Sequence, residues 1–327
     1  MTFTKRLSIL ALSSLLPAFG LNAQAQTSAS SYPDRPIRIV VPFAPGGAAD
    51  ANMRVIGQKL GERVKQSVII DNKPGAGGSV AIQNMRSSPK DGYTLIYTSV
   101  STAVTSSKPN APYDLATDFV PIIHNNKGPL LFYVREDSHI RTMTDLIDHI
   151  RKNPGKLNYA SIGIGSGPHL AMEHFKQVFD LDIVHIPYKS SAGSTGGVMG
   201  GDVHIGLDPL AAVVPLLKGG KVRPIAVTSR QPAKSYPSVP GMEAAGYPQY
   251  EFISWAGVSA APGTPEETIK VLNRELNEVL KDPAVIESFA TQAAETVGGT
   301  PEDYQRFIEQ ELKTLRGIIT KGKLVLD

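Results

Sequence analysis

Ile37-Arg38-Ile39-Val40-Val41-Pro42-Phe43-Ala44-Pro45-Gly46-Gly47-Ala48-Ala49-Asp50 is the stretch from which the fold is read. Its first five residues are mostly β-branched and read as a strand that stops at Pro42. A Pro/Gly turn follows. From 49 to 63, Met53, Ile56 and Leu60 recur at helical spacing. Strand, glycine turn and helix in succession open a βαβ unit. The pattern repeats on the C-terminal side. Residues 68–71 read as a strand leading into Pro74-Gly75-Ala76-Gly77-Gly78 and a short helix through Met85, and residues 93–98 as the next strand. A later strand spans 130–134.

The middle of the chain has the same grammar. A helix over 142–152 is stopped by Asn153-Pro154-Gly155. Strands at 157–160, 183–187, 203–207 and 222–228 alternate with helices at 168–179 and 210–218, and a last strand spans 255–260. Thr264-Pro265-Glu266-Glu267 then opens a helix with Thr264 as N-cap, Pro265 at the first position and acids at the positive end. Ile269, Leu272, Leu276 and Val279 form its buried face. Thr300-Pro301-Glu302-Asp303 opens a second, longer helix running to about residue 320. Such alternation predicts an α/β protein built on parallel sheet. Two α/β units of similar size predict two lobes, with a ligand cleft at strand C-termini and helix N-termini.

Composition narrows the function. The chain has 327 residues, 41% hydrophobic and 19% charged, enough for a sizeable core. Its 33 basic and 30 acidic residues give a net charge of +3, too even for a protein that binds nucleic acid by neutralising phosphates. There are no cysteines, which excludes disulfide scaffolds, thiol enzymes and Fe–S centres. Lys5 and Arg6, the apolar stretch 7–21 and Ala23-Gln24-Ala25 read as a secretory signal peptide over residues 1–25. The apolar run is broken by Ser13, Ser14, Pro17 and Gly20 and is shorter than the ~20 residues of a membrane span. Export and cleavage predict a periplasmic protein with no direct membrane insertion after processing.

Several loops carry candidate binding chemistry. The turn through Gly46 and Gly47 enters a helix, and first-turn amides with the helix dipole favour an anion. A plain turn with Asp50 in the first helical turn fits the same residues. Gly163-Ile164-Gly165-Ser166-Gly167-Pro168-His169 has the same design, with Pro168 at the first helical position and His169 in the first turn. Taken alone, His169 reads more readily as a surface or capping histidine; two such loops, one per half, strengthen the binding reading. Pro187-Tyr188-Lys189-Ser190-Ser191-Ala192-Gly193-Ser194 brings hydroxyls and amides to another helix start. Asp208, ahead of Pro209, reads as a helix cap or a pocket acceptor. No metal site is expected: His169, Glu173 and His174 fit neither H-E-x-x-H nor H-x-x-E-H. Neither a P-loop nor G-x-G-x-x-G is present, and no cofactor is expected.

Taken in order, these motifs resemble the Bug (TctC-like) family, the periplasmic solute-binding proteins of tripartite tricarboxylate transporters. The landmarks are Tyr32-Pro33-Asp34-Arg35-Pro36, Val41-Pro42-Phe43-Ala44-Pro45-Gly46-Gly47 with Asp50, Asn72-Lys73-Pro74-Gly75-Ala76-Gly77-Gly78 and Asp91-Gly92-Tyr93. Pro154-Gly155-Lys156-Leu157-Asn158-Tyr159-Ala160-Ser161, His185-Ile186-Pro187-Tyr188-Lys189, Ala226-Val227-Thr228-Ser229 and Ala261-Pro262-Gly263-Thr264-Pro265 continue the set, which ends at Gly298-Gly299-Thr300-Pro301-Glu302. The resemblance implies a two-lobed type II periplasmic-binding-protein fold with a central ligand cleft. Residues 26–135 with 253–327 would form one lobe and 136–252 the other, with crossovers near 134–137 and 252–255. It further implies a monomer that captures a small carboxylic acid by hinge closure and delivers it to membrane transporter subunits.

Carried onto this sequence, one jaw would use Phe43, Gly47, Ala48, Ala49, Asp50, Ser99 and Ser101. The other would use Ser161, Gly165, Ser166, His169, Ser190, Ala192 and Asp208. Ala48-Ala49 replaces a hydroxyl found in many relatives, Pro209 replaces an Asn, and the segment 106–111 lacks expected apolar residues. These departures point to a dicarboxylate with a larger apolar body. An aromatic diacid such as terephthalate or phthalate is one candidate and a short aliphatic diacid another. Two other readings compete: an exported esterase using Ser194 or Ser166 with His169, and a receptor for a signalling partner. An elbow serine sits on the strand-to-helix turn, whereas Ser194 lies several residues beyond it.

Overall fold

β1 (Ile37–Val41) pairs in parallel with β2 (Val68–Asn72) on one side and β3 (Thr94–Ser99) on the other. The computed structural model describes residues 32–326; the proposed signal peptide, 1–25, lies outside them. α1 (Ala48–Val64) follows β1 and turns Met53, Ile56 and Leu60 fully inward, each burial contributing about 1.5–3 kcal/mol. A 3-10 turn at Ala76–Gly78 leads into α2 (Ser79–Arg86). α3 (Val100–Ser106) continues directly from β3.

The next strand, β4 (Val120–Arg135), is the axis of the molecule. After β4 come α4 (Met143–Lys152), β5 (Asn158–Ser161), α5 (Gly167–Phe179), β6 (Val184–Pro187), α6 (Ser191–Gly200), β7 (Ile205–Pro209), α7 (Leu210–Lys218) and β8 (Val222–Val227). β9 (Ile253–Ala260), α8 (Glu266–Leu280), α9 (Pro283–Ala290), β10 (Glu295–Gly298) and α10 (Pro301–Gly322) complete the described chain. Strands run in the order β2-β1-β3-β9-β4-β7-β5-β6, with β8 and β10 also on β4. From Val120 to Pro129, β4 pairs with β9, and β10 joins it around Lys127. From Leu130 to Arg135 it pairs with β7 and β8. One strand therefore belongs to two half-sheets, and its partners change between Pro129 and Leu130.

The expected parallel sheet holds within each half-sheet but not where the two halves meet. β2-β1-β3 and β6-β5-β7 are parallel, but β9 is antiparallel to β3 and β4 is antiparallel to every partner. The reason is connectivity: a strand that runs out of one half-sheet into the other, and a second that returns, must oppose their neighbours. Two helices and half of β4 also escape simple reading. α3 is Val-Ser-Thr-Ala-Val-Thr-Ser, rich in residues of low helix propensity, and α6 holds Gly193, Gly196, Gly197 and Gly200. The first half of β4 carries His124-Asn125-Asn126-Lys127-Gly128-Pro129, which breaks the apolar pattern, and a bulge falls between His124 and Asn126. Thr264 donates to the Ala261 carbonyl rather than capping, and α8 begins one residue later, after Pro265.

α10 packs its Tyr304, Ile308, Leu312, Leu315 and Ile319 into a core that also contains residues of α3, α4, α5 and β4. Its Thr300–Asp303 capping box matches the expected helix start.

Candidate ligand-binding site

The candidate residues fall at strand C-termini, in two groups. In the first, β1 and β3 end side by side, so the loop 42–47 and the Ser99–Ser101 turn share one edge. Gly47 is the N-cap of α1 and offers no side-chain acceptor, so first-turn amides of Ala48 and Ala49 lack a cap. Phe43 sets its ring edge-on to Tyr97 at 6.0 Å, and its carbonyl accepts from Asn72 Nδ2 at 3.1 Å. Asp50 is buried and committed: Oδ2 accepts from Gly46 N at 2.9 Å and Arg54 Nε at 3.0 Å. The Arg54 bond, then the Gly46 amide, hold its carboxyl down at about 2. Asp50 therefore braces the loop as a fixed anion. Ser99 heads α3; its amide donates to Thr102 Oγ1, while its buried Oγ has no hydrogen-bond partner.

The second group lies at the ends of β5, β6 and β7. Ser161 Oγ is 2.6 Å from His185 Nε2 and accepts from Gly163 N at 3.1 Å. Ser166 caps α5 and its Oγ donates to the Gly163 carbonyl at 2.7 Å. Gly165, at φ +72, points its N–H to His169 Nδ1 at 3.1 Å. That accepted bond places the proton of the neutral His169 ring on Nε2. Ser190 caps α6, and Ala192 is exposed in the first turn of that helix. Asp208 is fully buried, and its Oδ2 accepts from Tyr133 Oη at 2.7 Å and Ser194 Oγ at 2.6 Å. Burial, against those hydrogen bonds, pushes its carboxyl up to about 6, and Oδ1 has no partner. It caps no helix: α7 begins at Leu210, with Pro209 as its N-cap residue and no side-chain cap.

The groups approach each other through α3. A Cβ built on Gly165 would lie 3.8 Å from Val104, and one on Gly167 3.7 Å from Val100. Across the sheet, Ser99 stands opposite Ala256, which stands opposite Asn126 on β4; Asp208 stands opposite Leu131. Both groups thus converge on the part of β4 where its partners change. Among the described residues, no hydrogen bond joins the two. A cavity of about 730 Å³ lies elsewhere, between the segment 106–114 and Arg316, Ile319 and Thr320 of α10. The altered segment 106–111 therefore sits past the C-terminal end of α3, whereas Ser99 heads that helix.

Several residues here carried no individual signal in the sequence. His185 stands beside Tyr159 in register on β5 and β6, with rings stacked at 4.8 Å, and its other face stacks on His169 at 4.2 Å. Burial, with His169 and Lys176 adding, pushes His185 down to about 3. Tyr188 lies over α6, where Cβ atoms on Gly193 and Gly197 would meet its ring at 3.2 Å and its Oη at 2.1 Å. Glycines four apart on one helix face, just after a tyrosine, were the available clue.

Ser161 and His185 have the spacing of a nucleophile and base. Ser161 is fully buried, His185 is a weak base, and among the described residues no carboxylate hydrogen-bonds to the ring. Ser194 is sealed under Asp208, and Ser166 is turned to the Gly163 carbonyl. The geometry suits recognition better than acyl transfer.

Comparison with known proteins agrees with this frame. Protein BugT of Bordetella pertussis is 34% identical over 298 residues, covering 90% of this chain and 91% of that protein. A solved structure described as a periplasmic transporter is 31% identical, covers 90% of this chain and all of that one, and superposes with a TM-score of 0.78. R. palustris Rpa4515, solved with adipate, is 34% identical, covers 89% of this chain and 98% of its own, and also has a TM-score of 0.78. The family model described as "Tripartite tricarboxylate transporter family receptor" matches residues 52–324. The chain belongs to the TctC family of tripartite tricarboxylate transporter receptors.

Proposed function

We propose that the protein is a periplasmic solute-binding receptor, exported on residues 1–25, that captures a small dicarboxylate and delivers it to the membrane subunits of a tripartite transporter. Residues 26–135 with 253–327 form one lobe and 136–252 the other, and the ligand closes them as a monomer without cofactor or turnover. The observation that carries this reading is the pairing of two strand-end loops, 42–47 and 163–167, each feeding a helix N-terminus, on either side of the strand shared by both half-sheets. One carboxylate takes the first-turn amides of α1 and the other those around Gly165 and α5. The partner switch on β4 at Pro129/Leu130 and the return at Ile253 supply the hinge.

The ligand's body is apolar. Ala48 is exposed at the start of α1, Ala192 at the start of α6, and Ile164, at the tip of the loop before α5, is 51% exposed. A 34%-identical relative solved with adipate supports a diacid with a hydrocarbon middle. The test is a thermal-shift screen of residues 26–327 against mono-, di- and tricarboxylates, aliphatic and aromatic, with an esterase assay alongside. At 100 times Kd, one-site linkage adds about 2.7 kcal/mol and raises Tm by a few degrees. Shifts confined to diacids are expected. Shifts only with ligands lacking an anionic group, or ester turnover that tracks Ser194, would overturn the reading.

A further inference from the structure

At the other end of the β7-β5-β6 half-sheet, where β4 ends and β5 and β7 begin, three histidines from three separate segments line one cavity of about 400 Å³. His139 lies in the loop after β4, His149 on α4 and His204 just ahead of β7. His139 Nε2 and His149 Nδ1 are 3.1 Å apart, their ring centroids 4.4 Å apart at 72°. Two imidazole nitrogens on one tetrahedral zinc, each about 2.0–2.1 Å from the metal, stand about 3.3–3.4 Å apart. The pair is within a few tenths of an ångström of that span, and the rings are exposed or half-buried.

We propose that His139 and His149 form a binding site for a late first-row divalent cation such as Zn²⁺ or Ni²⁺, with His204 as its recruitable third ligand. Among the described residues, no three metal-ligating side chains are already assembled around one point. His204 is nevertheless prepared for the role. Its Nδ1 lies 2.5 Å from Asn158 Oδ1 and 3.3 Å from the Asn158 backbone N–H that donates to it, so the ring is fixed through that one nitrogen. A ligating histidine is ordinarily held in this way by its second nitrogen. Asp137, exposed and paired with Arg135 in the same cavity, can supply an oxygen.

Asp145, which faces His139 from α4, already accepts from the Arg141 and Thr142 amides. A neutral imidazole that carries its hydrogen on one nitrogen offers the lone pair of the other. No metal motif flags these residues because each comes from a different part of the chain. Imidazole ligands favour Zn²⁺, Ni²⁺ and Cu²⁺ over Mg²⁺.

Calorimetric titration of the untagged protein with ZnCl₂ and NiCl₂ at pH 7.5, with MgCl₂ as control, tests the site. One equivalent of Zn²⁺ is expected, with at least tenfold weaker affinity in His139→Gln and in His149→Gln, and no heat from Mg²⁺. Circular dichroism and Tm without metal confirm that each variant folds. Failure of the parent protein to bind Zn²⁺, or unchanged affinity in either variant, overturns the assignment.

Discussion

The rings of His169 and His185 stack face to face, their centroids 4.2 Å apart and their planes 14° from parallel. Tyr159 covers the far side of His185 at 4.8 Å and 17°. The stack holds the loop at 163–167 through two bonds, Gly165 N to His169 Nδ1 and Ser161 Oγ to His185 Nε2. A proton on His169 Nδ1 would remove the acceptor that Gly165 uses. Two charged rings at this distance would also repel. The loop's geometry is therefore tied to neutral histidines.

Acid should destabilise the protein through this stack. Burial holds both histidines below their ordinary value, with His185 at about 3. The unfolded chain then binds more protons than the folded one below about pH 6.5, so this stabilisation is complete above that pH and falls as pH falls toward the folded values. The ceiling for one group is about 1.4 kcal/mol per pH unit. Urea unfolding from pH 7.5 to 4.5 should show the decline, and His185→Gln should flatten it by up to one proton. Equal slopes in both proteins would assign the acid sensitivity to other groups.

Asp208 predicts the opposite sign. Its carboxyl is raised to about 6 by burial, so the folded state holds a proton that the unfolded state has lost between about pH 4 and 6. Stability from this group falls across that window as pH rises, then levels off. Asp208→Asn keeps the shape and removes the charge. Its advantage should be absent below about pH 4, grow to about 3 kcal/mol by about pH 7 and stay constant above. A variant less stable than the parent at pH 8 would show that the ionised carboxylate is needed by Tyr133 and Ser194.

How much of this could be read from the sequence follows from which interactions are local. Met53, Ile56 and Leu60 announce α1 by spacing, and Thr300 with Asp303 announces α10 by its cap. The glycine turns at 46–47 and 163–165 mark the strand-to-helix loops, but do not show that the amides of Gly46, Gly163 and Gly165 are taken by Asp50, Ser161 and His169. Sequence spacing cannot show that β4 serves two half-sheets, because its partners lie far along the chain and Gly128-Pro129 interrupts its apolar pattern. It also cannot show that Asp208 is held by Tyr133, which comes from another strand, whereas Asp50 and Arg54 stand one helical turn apart on α1. Their surroundings separate the two aspartates: Arg54 and the Gly46 amide hold Asp50 down at about 2, and burial raises Asp208 to about 6.

Gly165→Ala should weaken diacid binding more than it weakens the fold. At φ +72 a side chain strains the backbone by about 1 kcal/mol, and the new Cβ would reach van der Waals contact with Val104 at 3.8 Å. Relief of that strain turns the N–H away from His169 and misaligns the loop's amides. Calorimetry with the diacid identified in the screen should show at least a tenfold loss, with Tm lowered by only a few degrees. Unchanged affinity would remove the Gly165 loop from the site.

Trp255 gives an internal reporter at the waist of the molecule. It is the single tryptophan of the chain, stands opposite Lys127 on β4, and packs edge-on to Phe307 at 5.2 Å. Its indole Nε1 donates to Glu311 Oε2 at 2.9 Å, which couples the returning strand β9 to α10. Burial raises the Glu311 carboxyl, yet the indole bond depends on an acceptor oxygen, which the acid, the anion or an amide can all supply. Glu311→Gln should therefore change stability by less than about 0.5 kcal/mol, whereas Glu311→Ala strands a buried N–H and should cost about 1–3 kcal/mol. Urea unfolding followed by Trp255 emission reads both, with circular dichroism as an independent probe. Equal losses in the two variants would mean that charge, rather than the hydrogen bond, joins β9 to α10.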